Sequence, residues 1–116
     1  MTFALASKTW IPLLPSAAED GDCHLLVSPP SMAEMHTLDV AEIIGQWDQV
    51  QPILLAHIHD WSGVVNEDGG ALVKFSHKVL EGALEHPSFA LLAARCVKDA
   101  ALQDIRQVTA ALAPKH

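Results

Sequence analysis

Seven of the 116 residues are histidine, and the run His57-x-His59-Asp60 is where imidazole and carboxylate groups crowd most closely in the chain. Those groups are zinc ligands, so a metal site is the first chemistry to weigh. On a helix, however, positions i and i+2 lie about 200° apart, and two such rings cannot reach one ion. Neither an HExxH pattern nor a cysteine pair supplies the missing ligands. The expectation is a partly buried His57, an exposed His59, no metal and no cofactor. Ser76-His77 are adjacent, which does not make a triad, and the chain has no nucleophile elbow or glycine-rich phosphate loop. Glu42 and Glu81 read as ordinary surface acids. The acidic turn Asn66-Glu67-Asp68-Gly69 lacks the alternating oxygen ligands and distal glutamate of a calcium loop. No catalytic residue is expected. The competing class is a small metal-dependent or catalytic protein using His57, His59 and a distant histidine or acid. Cys96, on an Ala- and Leu-rich stretch, reads as a small buried hydrophobe, and Cys23 as part of a polar loop or strand start. Two free thiols are the simpler reading, with a disulfide between them left open.

The elements that must carry these residues are mostly helical patterns. Trp47, Val50, Leu54, Ile58 and Trp61 recur at i, i+3, i+7, i+11 and i+14, which predicts one helix over 47–61 with Pro52 near its first turn. Burying five such side chains is worth on the order of 10 kcal/mol gross. That stripe must be covered by another helix or by a partner, and its exposed part is the first candidate for a partner-binding surface. After it, Asn66-Glu67-Asp68-Gly69-Gly70 supplies a turn between Val64-Val65 and Leu72-Val73, which predicts a small hairpin. Ser76 is placed to cap a helix over 76–85, with Phe75 and Leu80 at the spacing of a hydrophobic staple. Pro87 ends it.

The run from Trp47 to about Val97, above all "WDQVQPILLAHIHDWSGVVNEDGGALVKFS" and then "HPSFALLAA", resembles the small tail assembly chaperones of tailed bacteriophages and prophages. Many of those carry a Trp-x-Gly-Val-x-(Asp/Asn)-Glu-Asp-Gly turn after a helix, then a Phe-Ser helix start. The matching residues are Trp61, Gly63, Val64, Asn66, Glu67, Asp68, Gly69, Phe75 and Ser76. Val73-Lys74 stand where a proline often precedes the Phe, and the first 45 residues have no match. The resemblance implies a non-catalytic chaperone that binds the tape measure and tail tube proteins in the host bacterial cytoplasm. An unrelated prophage adaptor with a different partner is the third reading.

The remaining segments set the fold class. A last helix is predicted from Ser88 or Phe89 to about Ala111, with a seam of Ala94, Val97, Ala101, Ile105, Val108 and Leu112, ended by Pro114. Ser31, or the prolines before it, begins a weaker pattern through Ile44 that Gly45 ends; Thr37 could instead cap a shorter helix. Met32 and Met35 fit either a core or an adaptable binding surface. Thr9 to Leu14 and Cys23 to Val27 read as two extended pieces around Asp20-Gly21-Asp22. The expected whole is one domain, 1–116, mainly α, with about four helices packed as a small bundle and a minor N-terminal β element. Residues 1–30 would be a proline-containing arm or hairpin and 31–112 a helical core. Net charge is −7, and residues 1–68 hold ten of the 14 acids but one base, Lys8. Without a basic cluster, nucleic-acid binding is not expected. The acidic front could steer a basic protein partner or simply keep the protein in solution. Lys8, Pro12 and Pro15 interrupt any apolar export core, and no apolar run approaches the roughly 18 residues of a membrane span. A homo-oligomer remains compatible with the sequence.

Overall fold

The computed structural model describes residues 7–14, 23–66, 68 and 70–112. Strand β1 (Thr9–Pro12) pairs antiparallel with β2 (His24–Val27), and Leu13 N–H donates to the Cys23 carbonyl at 2.9 Å just beyond the strands. The Asp20-Gly21-Asp22 turn lies outside the described residues. β1 is an edge strand with Pro12 at its end, where a missing amide breaks no ladder bond. A third strand, β3 (Ile58–Ser62), adds to the other side of β2 in the order β1-β2-β3. Four helices complete the described fold: α1 (Met32–Ile44), α2 (Val50–His57), α3 (His77–Ala83) and α4 (Pro87–Leu112).

Two expectations are corrected here. The fold is mixed α and β, with helices laid on an antiparallel sheet, and is not a four-helix bundle with a minor β element. The helix expected over 47–61 is split into α2 and β3. The physical reason is a β-bulge. In the β2–β3 pairing Leu26 faces Asp60 but Val27 faces Ile58, so His59 is an extra residue on β3. The bulge turns Ile58 and Trp61, three apart, onto the same buried face, where a regular strand would alternate them. A spacing of three is also helical, so the periodicity misled.

Packing follows from these faces. Ile11, Leu25, Val27, Ile58 and Trp61 form the inner face of the sheet, and α4 crosses β1 and β2 and packs against α2. Val50 and Leu54 from α2, Leu38 and Ala41 from α1 and Leu80 from α3 close the same core with Ala93, Ala94, Val97 and Ala100 of α4. The small residues of α4 let it lie close to its neighbours. Cys96 Sγ sits 3.6 Å from the Pro12 carbonyl, and burial pushes its thiol up to about 12. Both cysteines are free.

Local chemistry sets the helix ends. Ser31 accepts from the Glu34 amide while Glu34 accepts from the Ser31 amide, a reciprocal capping box that starts α1. Gly45 ends it at φ 73°, a left-handed conformation that glycine adopts without a Cβ clash. Thr37 lies inside the helix and bonds back to the Ala33 carbonyl. Ser76 caps α3 through the Val79 amide, and Pro87 is the first residue of α4, where its missing amide costs nothing. Pro114 lies outside the described residues. Val65 and Leu72 form a single antiparallel bridge, with Val73 N–H donating to the Val64 carbonyl at 2.8 Å.

Candidate functional site

The five stripe residues first considered for partner binding do not form an open surface. Val50, Leu54, Ile58 and Trp61 are buried in the core, and only Trp47 stays half-buried at its edge. Their apolarity is used within the chain. Trp61 also organises the motif turn, donating Nε1–H to the Val73 carbonyl at 2.8 Å and meeting Phe75 and Phe89 edge-on at 5.2 and 6.1 Å. Gly63 follows at φ 76°. Asn66 accepts from the Gly70 amide and donates its own to the Ala71 carbonyl, and Asp68 is exposed. Glu67 and Gly69 lie outside the described residues. The motif residues thus tie the loop after β3 to the sheet and to α4.

The histidines converge in a way the helical reading did not allow. Because α2 ends at His57 and the chain turns extended, His57 Nδ1 and His59 Nε2 reach the same hydroxyl, Ser28 Oγ, at 3.0 and 2.9 Å. His57 Nε2 lies 3.0 Å from both carboxylate oxygens of Glu34. His57 Nδ1 is also 3.1 Å from the Ser28 carbonyl, so both of its ring nitrogens face acceptors. The His57 ring thus sits between the Glu34 carboxylate and the Ser28 backbone and hydroxyl, and His59 shares that hydroxyl. The Ser31 amide holds the Glu34 carboxyl below its ordinary value, with His57 adding to that shift. Burial pulls His59 below the ordinary imidazole value, with Lys8, His57 and His77 reinforcing it. This chain of groups clamps the start of α1, the end of β2 and the α2–β3 junction together. Among the described residues, no three His, Cys, Asp or Glu side chains are grouped to hold a metal ion. Ser28 and Glu34 escaped the sequence reading because they approach from 29 and 23 positions away.

A second feature lies on α4. Its seam is buried at Ala94, Val97 and Ala101, then continues into solvent with Ile105 50%, Val108 37% and Leu112 79% exposed. All residues from Ile105 to Leu112 are exposed, and no described element covers them. Beside this half, a groove of about 530 Å³ runs between α4 and the start of α1, lined by Pro29, Pro30, Met32, Met35, Ala101 and Ile105, with Asp39 and Asp104 among its polar residues. Met32 is 81% exposed, so the adaptable-surface alternative describes it better than the core one. The seam itself was legible, and its length held the signal: 26 residues make a rod of about 39 Å, longer than a small sheet can cover.

Comparison with known proteins returns no match: no family model, no curated protein and no solved structure is significantly similar to this chain. Among the described residues no helix is long and apolar enough to cross a membrane.

Proposed function

We propose that this chain is a non-catalytic tail assembly chaperone of a phage or prophage, acting in the host cytoplasm on the tape measure and tail tube proteins. The observation that carries partner binding is the apolar seam of α4, which continues past the core into solvent through Ile105, Val108 and Leu112. A monomer gains nothing from displaying that stripe, whereas a partner helix would bury it. The assignment to tails rests on the resemblance of the Trp47 to Val97 run. The partner face is thereby moved from the Trp47 to Trp61 stripe to α4.

The test is a pull-down of the purified chain against tail proteins encoded beside its gene, repeated with Ile105→Asp. The proposal expects retrieval of a long helical tape measure protein, lost in the variant. Failure to bind or solubilise either tail protein would sink it. The Glu34–His57–Ser28–His59 chain favours a second reading, a small catalytic or metal-dependent protein. That reading requires an activity or a retained metal that disappears in both Ser28→Ala and His57→Ala.

A further inference from the structure

We infer that the groove between the start of α1 and the exposed half of α4 receives one amphipathic helix of a partner protein, whose apolar ridge is flanked by lysine or arginine. This deepens the partner-binding reading above and rests on it. The shape and lining of the groove come first. Met32, Met35, Pro29, Pro30 and Ile105 make an open, mostly apolar trough beside two free turns of α4, a surface that a helix ridge fills and a small polar ligand does not. Methionines, unbranched and polarisable, adapt to the ridges of an incoming helix.

Charge then selects among occupants. No Lys or Arg lines the groove, whereas Asp39 and Asp104 do. Asp39 shares Lys98 Nζ with Glu42, at 2.9 and 2.7 Å, so its charge is largely spent within the chain. Asp104 has no ion-pair partner among the described residues. It stands between the groove and a second cleft lined by Ser7, Lys8, Thr9 and Gln107. The chain carries −7 overall, and α1, one wall of the groove, belongs to its acidic front half, whereas α4 does not. A second copy would bring together two chains that each carry −7, which repels at low salt. A basic amphipathic helix meets both the trough and its rim.

The experiment uses the full-length chain and three labelled synthetic helices of about 18 residues, or five turns. One carries a leucine ridge with lysine flanks, one the same ridge with glutamate flanks, and one the lysines with serine replacing the ridge. Binding is read by fluorescence anisotropy at about 0.05 and 0.5 M salt, which brackets strong and weak screening. The leucine–lysine helix should bind at least about tenfold more tightly than either control, and should weaken in high salt. Met32→Ala with Ile105→Ala should cost about tenfold at both salt concentrations, since apolar contact is not screened. Asp104→Asn should weaken low-salt binding, and Asp48→Asn, on the α1–α2 connection away from the groove, should weaken it less. These variants are at exposed or half-exposed positions, and circular dichroism checks that each stays folded.

Equal binding of the lysine and glutamate helices, or of wild type and the Met32/Ile105 variant, overturns the inference. So does sedimentation showing a dimer at micromolar concentration that Ile105→Ala dissociates, because a second copy then fills the groove. Tail-protein retrieval without a preference for the leucine–lysine helix rejects this partner chemistry and spares the chaperone reading. The preference without tail-protein retrieval does the reverse.

Discussion

The two halves of α4 share one seam and have opposite fates. From Phe89 to Ala101 the helix lies across β1, β2 and α2, with Ala93 and Val97 wholly buried. From Ile105 onward the same periodicity faces solvent. An apolar stripe records a need for cover and does not say who supplies it. The half over the sheet is covered by the chain itself, because the bulge in β3 lets Ile58 and Trp61 join Leu25 and Val27 on one inner face. The free half has only the trough beside Met32 and Met35.

The same substitution placed in each half should have opposite consequences. Val97→Asp puts an unpaired carboxylate into the core and should cost about 3–5 kcal/mol or prevent folding, read by urea titration. Its counterpart, Ile105→Asp, lies about 12 Å further along the helix. Next in size, Leu54→Ala should cost about 2–5 kcal/mol, because Leu54 is 1% exposed, while leaving any partner binding by the folded fraction intact. A selective loss of binding in Leu54→Ala would return the partner face to α2.

Smaller effects probe the polar clamp beside the covered half. Ser31→Ala removes the reciprocal cap of α1 and should cost about 1 kcal/mol. The pH dependence has a fixed sign. The folded value of His59 lies below its ordinary 6.5, so its contribution is fully present above 6.5 and is lost as pH falls through 6.5 toward the folded value. Glu34, also held low, loses its contribution below 4.5, as pH falls through its folded value. Urea midpoints should therefore drop on acidification from about pH 7.5 to 5.5, where the first of these groups titrates, and His59→Asn should flatten that drop. The smallest stability change is expected for Ile105→Asp itself, within about 0.5 kcal/mol of wild type, because its side chain already meets water. A cost of several kcal/mol there would mean that the free half is covered in solution.

Much of the local structure was legible because it depends on near neighbours. The Ser76 helix start, the Gly45 stop, the antiparallel pieces around residues 9–14 and 23–27 and the pairing of Val64-Val65 with Leu72-Val73 all depend on groups a few residues apart or on turn chemistry, whereas the start of α1 stayed open between Ser31, the prolines before it and Thr37. The α4 seam was legible for the same reason. What failed was the run from Val50 to Ser62, where the bulge gave a strand the spacing of a helix. The histidine geometry failed with it, since His57 and His59 meet on Ser28 only because the helix stops between them.

The Ser76 cap, the Gly45 stop and the apolar faces were set by the order of residues alone, because they follow from backbone sterics and from residues within one or two turns of each other. The tertiary structure alone decided that β3 joins the N-terminal hairpin, that Glu34, Ser28, His57 and His59 form one hydrogen-bonded chain, and which half of α4 stays uncovered. Each of those outcomes depends on segments far apart in the chain competing for the same surface, and periodicity along one segment contains no record of that competition.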